Sequence, residues 1–189
     1  MRLVAVLGID PGSRRCGYGV VERTGKGLSR IDSGVLVPGD LPMPERLARI
    51  FEELSRIAER SGVDAVAVEI AYCGRSARSA LALGQARGVA LAAAARAGLP
   101  VFENAPAEVK RAFTGSGRAE KAQMVRTALT LFGREARLSD EADALAVAVC
   151  HLARDRPGLP RVVERLAADE RTRRHAALRP SIRRFGEQR

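Results

Sequence analysis

The chain has 189 residues, 46% of them apolar but only 4% aromatic and none Trp, which is enough to bury one core of ordinary size and little more. Its formal net charge of +10 favours a polyanionic partner, nucleic acid before a membrane surface. A membrane span and a signal peptide are not expected: no apolar run approaches the roughly 18 residues of a membrane span, and the first run meets Asp10 without a small-residue cleavage site. Cys16, Cys73 and Cys150 are widely spaced, offer no Cys-x-x-Cys pair for zinc or redox work, and fit a reduced cytoplasmic setting. The basic residues are 29 Arg against 3 Lys, so Lys26, Lys110 and Lys121 each mark a position to ask about.

Leu3 to Asp10 is a continuous apolar run that stops on a carboxylate and is followed by Pro11-Gly12-Ser13. That pattern predicts a buried strand with Asp10 at its exposed end, where Asp10 could serve chemistry or simply open a turn. A second strand is predicted over Cys16 to Glu22 and a third over Leu28 to Val37, with Gly25-Lys26-Gly27 turning between them. Together the three make an antiparallel meander. Pro38 to Pro44 reads as a loop, and Leu47, Ile50, Phe51, Leu54, Ile57 and Ala58 then recur at helical spacing, with Gly62 just past the end.

Asp64 to Glu69 repeats the opening design, a short apolar strand ending on a carboxylate. Returning after a helical crossover, it should lie parallel to the first strand and bring Glu69 beside Asp10. Ser76 to Ala97 is a long Ala-rich helix, with Leu81, Leu83, Val89 and Leu91 as its larger apolar residues and Gly84 and Gly88 interrupting it. So many small side chains suit close packing against the sheet or a second subunit. Leu99 to Glu103 is predicted as a fifth, edge-like strand, and Pro106 opens a short helix through Phe113.

Thr114-Gly115-Ser116-Gly117-Arg118-Ala119-Glu120-Lys121 is a basic turn entering a helix whose apolar face is Met124, Val125, Ala128, Leu129 and Phe132. Its lysine and glycine spacing is not that of a Walker loop, but a backbone phosphate could bind there. Ser139 to Val149 reads as a last helix. Asp140 and Asp143, three apart, share one face. First-turn acids commonly just complement the helix dipole, and Glu141 is assigned only that role. Asp143, however, stands among Ala and Leu one turn in, a costly place for an unpaired charge unless a metal ion binds it. His151 near the helix end is assigned a C-terminal capping role.

The order of these elements resembles the ribonuclease H-like nuclease fold, an α/β fold with a five-stranded mixed sheet and helices on both faces. More closely, Gly8-Ile9-Asp10-Pro11-Gly12-Ser13, Val68-Glu69, Leu83-Gly84-Gln85-Ala86-Arg87-Gly88 and Asp140-Glu141-Ala142-Asp143-Ala144-Leu145-Ala146 are similar to the motifs of the RuvC family of Holliday junction resolvases. The resemblance covers about residues 3 to 153. It implies a metal-binding, catalytic quartet of Asp10, Glu69, Asp140 and Asp143, two Mg²⁺ or Mn²⁺ ions per active site, a homodimer, and four-way junction DNA as substrate. It also implies products with 5′-phosphate and 3′-hydroxyl ends, and a working connection to the RuvAB branch-migration complex. Lys110 and Lys121 fall where the family places lysines near the scissile phosphate. On this reading Asp10 bridges both ions, Glu69 holds the one near the leaving oxygen, and Asp143 with Asp140 holds the one that activates water.

The chain departs from the family in having Ile70 where Gln is usual and Tyr72 where Phe is more usual. Tyr72 is expected to stack on or wedge between bases near the crossover, and Arg75, Arg78 and Arg118 are further expected DNA contacts. Residues 1–154 are therefore read as the nuclease domain. Residues 155–189, with ten Arg against five acidic residues, are read as a flexible basic tail able to touch DNA electrostatically.

Three other readings compete. Actin-like and sugar-kinase ATPases share a Gly-Ile-Asp-x-Gly-Ser/Thr phosphate hairpin, but the chain is short, lacks a duplicated second domain, and ends in Asp-x-x-Asp. A smaller nuclease of the same fold acting on ribosomal RNA precursors is disfavoured by the extra length and the Gln85-Ala86-Arg87-Gly88 match. A non-catalytic junction-binding protein is disfavoured by the complete quartet.

Overall fold

A computed structural model describes residues 4–25, 27–70, 76–133, 136 and 138–154. Its five strands are β1 (Val4–Asp10), β2 (Cys16–Thr24), β3 (Gly27–Leu36), β4 (Ala65–Glu69) and β5 (Val101–Asn104). Five helices accompany them: α1 (Met43–Ser61), α2 (Ala77–Arg96), α3 (Pro106–Thr114), α4 (Lys121–Phe132) and α5 (Ser139–Arg154). The sheet runs β3-β2-β1-β4-β5, with β1–β2 and β2–β3 antiparallel and β1–β4 and β4–β5 parallel. The expected mixed sheet, the meander and the parallel return of β4 are all present.

Side chains alternate across the sheet and divide the core into two layers. On one face Ala5, Leu7, Ile9, Val66 and Val68 pack against Ile50, Leu54 and Ile57 of α1 and Ala90, Ala93 and Ala94 of α2. On the other face Val6, Val21, Ala65 and Ala67 pack against Val109 and Phe113 of α3, Met124 and Ala128 of α4, and much of α5. Helix α5 is buried almost all along its length, which explains why its sequence is apolar nearly all round.

Several expected boundaries move. Helix α1 begins at Met43, not at Leu47, because Pro44 fits the first turn, where a missing N–H costs nothing. It ends at Gly62 in the left-handed conformation (φ 58°), as its sequence suggested. Strand β5 starts at Val101 and gains Asn104, which pairs in register with Glu69. In α2 the residues turned to the core are the small ones, Ala86, Ala90, Ala93 and Ala94, whereas Leu81 is 66% exposed. Leu129 of α4, expected on the apolar face, is also exposed, and Met124 and Ala128 carry that contact. Lys26 and Cys73 and the segment 155–189 lie outside the described residues.

Candidate active site

Parallel strands deliver their carboxyl ends to the same edge of a sheet, and polar chemistry collects there. Strand β1 ends on Asp10 and β4 on Glu69, with Ile9 and Val68 in register between the two parallel strands. The chain turns away tightly after Asp10: a Cβ on Gly12 would stand 2.3 Å from the Arg15 carbonyl oxygen, so only glycine fits the turn.

Helix α5 supplies the other two carboxylates, and three glycines let it do so. Gly8 and Gly19 are cross-strand partners, and Gly17 is the partner of Asp10. A Cβ on Gly8 would meet the Ala144 carbonyl oxygen at 2.1 Å and the Ala148 nitrogen at 2.6 Å. On Gly17 it would meet the Asp140 carbonyl oxygen at 2.0 Å, and on Gly19 the Leu145 side chain at 2.9 Å. The backbone of α5 therefore lies directly on a glycine-floored track across β1 and β2. This seating brings Asp140 and Asp143 to the strand ends. The alternation Gly17-Tyr18-Gly19 within a strand was the available signal, since glycine inside a strand often marks close backbone approach.

The four acids lie near enough to repel one another. The Asp10 carboxyl is pushed up to about 7, first by burial and then by repulsion from Asp143, Glu69 and Asp140, with the Lys121 ammonium pulling it back. Glu69 is raised by burial and by Asp143, against Lys110. Asp143 is raised by burial and by Asp140, against Lys121 and Lys110. The six residues expected to carry the chemistry are thus joined in one network of charge interactions, drawn from β1, β4, α3, α4 and α5. Lys121 opens α4, and the turn before it is braced internally by Ser116 N–H to Thr114 Oγ1 (3.2 Å) and Arg118 N–H to Ser116 Oγ (3.3 Å).

The donors suit a hard divalent cation in chemistry, since all are carboxylate oxygens and their shared repulsion is what a cation relieves. Ligation asks for more than electrostatic reach, because Mg²⁺ holds its oxygens at about 2.0–2.1 Å. Among the described residues no three of His, Cys, Asp and Glu are already drawn together around one point. The carboxylates thus stand near one another without being closed into a coordination sphere. A concavity of about 470 Å³ between Val35–Pro38 and α1 is lined by none of them.

Glu141 departs from expectation. It does not merely complement the helix dipole: it is 1% exposed and accepts hydrogen bonds from Arg30 Nη2 (2.5 Å) and Ser33 Oγ (2.8 Å) of β3. A carboxylate buried so deeply needs such partners, and removing one costs about 3–5 kcal/mol. Asn104, also 1% exposed, accepts from Arg154 Nη1 at 3.0 Å, while its Nδ2 has no partner among the described residues. Arg154 also pairs with Glu108, tying the end of α5 to the helix that carries Lys110. Arg87 of the Leu83–Gly88 motif pairs with Glu103 at 2.6 Å and so pins α2 to β5. His151 lies in the last turn of α5 as expected, and its ring also packs on Phe102, centroids 4.3 Å apart. Cys16 is buried beneath the site, its thiol pushed up to about 12 by desolvation, so it is held protonated and unreactive.

Of the expected DNA contacts, Arg78 is exposed in the first turn of α2 and Arg118 is exposed on the turn before α4. Neither contributes to the shifts of the carboxylates. Tyr72 and Arg75 lie outside the described residues.

Comparison with known proteins shows the family. The family model described as crossover junction endodeoxyribonuclease RuvC matches residues 6–151. A protein of that name from Anaeromyxobacter sp. (strain K) is 68% identical over 149 residues, covering 79% of this chain and 80% of the relative. The one from Trichlorobacter lovleyi is 50% identical over 149 residues, covering 78% and 84%. Among solved structures, Thermus thermophilus RuvC in complex with a Holliday junction substrate superposes with a TM-score of 0.73 at 34% identity, covering 79% of this chain and 93% of that one. The yeast mitochondrial Holliday junction resolvase Ydc2, at 17% identity and a TM-score of 0.58, shares the fold. The chain belongs to the RuvC family of crossover junction endodeoxyribonucleases.

Proposed function

We propose that the protein resolves four-way DNA junctions by metal-dependent phosphodiester hydrolysis at the Asp10–Glu69–Asp140–Asp143 cluster, working as a homodimer. The observation that carries this reading is the place of Asp10 at the end of β1, beside the parallel strand that ends on Glu69 and under the start of α5, where its carboxyl is repelled by all three of the others. Asp10, Glu69, Asp140 and Asp143 would be the residues that hold divalent metal here. Two bound Mg²⁺ or Mn²⁺ ions would neutralise the attacked phosphate, make a water nucleophilic and stabilise the leaving oxygen. Lys121 and Lys110 add fixed positive charge beside the site, where a scissile phosphate would gain from it.

Helix α2 supports the dimer. Gly84 and Gly88 face open space, where a Cβ would meet nothing within 4 Å, and Leu81 is exposed on the same helix. Glycine in a helix interior costs about 1 kcal/mol against alanine. A second subunit approaching this face closely would offset that cost. Two sites related by a twofold axis would nick symmetric strands of a junction and leave two duplexes.

The test uses a synthetic mobile four-way junction, a linear duplex of the same sequence and ATP, each with and without Mn²⁺. Paired nicks confined to the junction and dependent on metal are expected. ATP turnover, or equal cleavage of the linear duplex, would overturn the reading.

A further inference from the structure

The metal-site reading depends on where α5 begins, because Asp140 and Asp143 both lie in its first two turns. Resting on that reading, we infer that Arg30 and Ser33 of β3, acting through Glu141, are positioning residues that fix the start of α5 and hence the placement of Asp140 and Asp143.

The local geometry of β3 carries this inference. Residues three apart on a regular strand face opposite sides of a sheet. Arg30 nevertheless pairs with Val21, and Ser33 with Gly19, and both partners face α5. A register shift between Val20 and Val21 makes this happen: Asp32 pairs with Val20, Arg30 with Val21, and Ile31 is left over as the residue of a β-bulge. Ile31 is 53% exposed, so it gains nothing from packing at that position. The bulge re-phases the strand so that a guanidinium and a hydroxyl converge on one oxygen of Glu141, from 111 and 108 residues away. Bulges often re-aim side chains in this manner beside active sites.

Among the described residues, the contacts that seat the first two turns of α5 on the sheet are otherwise the glycine track and apolar packing, which resist separation but are not directional. A charge-assisted hydrogen-bonded pair is directional and fixes both rotation and height of a helix turn. The pair also cancels its own charge, so Glu141 adds no uncompensated negative charge beside the four carboxylates.

Three variants test this: Arg30→Met, Arg30→Lys, and the double Arg30→Met/Glu141→Leu, which removes both charges and leaves an apolar contact of similar volume. Each is titrated with Mn²⁺ by calorimetry in the absence of DNA, melted, and measured for junction binding in EDTA. Mn²⁺ affinity should fall at least tenfold in Arg30→Met and in the double variant, with junction affinity in EDTA within twofold of the parent, and Arg30→Lys should recover most of the loss. A double variant that binds Mn²⁺ as the parent does, or that fails to fold at all, overturns the inference, because the pair then serves folding alone. A parent that binds no Mn²⁺ would instead sink the metal-site reading itself.

Discussion

Replacing Gly8 by alanine adds one methyl group to a buried strand, yet it should nearly abolish cleavage. Gly8 lies in ordinary extended backbone, so alanine meets no conformational obstacle there. Its Cβ, however, would stand 2.1 Å from the Ala144 carbonyl oxygen and 2.6 Å from the Ala148 nitrogen. Ordinary contact begins near 3.4 Å, so α5 must rise from the sheet by roughly 1.3 Å. Overpacking of this kind costs about 1–3 kcal/mol of stability, which a domain of this size can survive. A shift of about 1 Å in a reacting group costs about 10²-fold in rate, and Asp143 rides on the displaced helix. Single-turnover cleavage of a four-way junction should therefore fall about a hundredfold in Gly8→Ala, while junction binding persists and the melting temperature drops by only a few degrees. Gly25→Ala, where the added carbon meets nothing within 4 Å, is the control and should match the parent. A Gly8→Ala protein that cleaves at the parental rate would refute the idea that backbone seating of α5 sets the geometry of the site.

Other consequences follow from the same structure. The Asp10 carboxyl is raised from 3.8 to about 7, so the charged group burdens the metal-free fold as pH climbs from about 4 to 7; Asp10→Asn should accordingly melt higher than the parent at pH 8 without metal, with the gain fading as pH falls toward 4, and equal melting curves at pH 8 would contradict the burial and repulsion described. Lys121 pulls the Asp10 and Asp143 carboxyls down, so Lys121→Met should slow cleavage and move the acid limb of its pH–rate profile to higher pH; a slower enzyme with an unmoved profile would limit Lys121 to phosphate contact. Gly88→Leu on α2 should fold normally, since nothing lies within 4 Å of the site of its side chain, but should sediment as a monomer and leave junctions nicked on one strand; a variant that remains dimeric would place the dimer contact elsewhere.

Much of this arrangement can be read in local pattern because local pattern is what creates it. Apolar runs ending on Asp10 and Glu69 announce buried parallel strands, and the carboxylate at each end follows directly. The helical crossover between them dictates that they emerge side by side. The Arg30–Glu141 pair was not readable in this way. Glu141 in a first helical turn looks like an ordinary dipole partner, and only the bulge at Ile31, a feature of strand pairing and not of composition, turns Arg30 toward it. Helix α2 follows its composition: the many small side chains suit close packing, and Ala86, Ala90, Ala93 and Ala94 are the residues it buries, with Val89 and Leu91 packing partly buried beside them while Leu81 stays exposed. The departure at Ile70 is accommodated without disturbing the sheet, its backbone N–H donating to the Asn104 carbonyl at 2.9 Å.

The most direct test of the central claim is the fate of a four-way junction with Asp10→Asn in Mn²⁺, with cleavage and binding measured on the same samples. Asparagine keeps the shape of the side chain and removes the charge that all three neighbouring carboxylates act upon. Binding of the junction as tight as the parent's, with cleavage reduced by at least a thousandfold, is the expected result. Cleavage that survives the substitution would show that the carboxylate cluster at the ends of β1 and β4 is not where the reaction occurs.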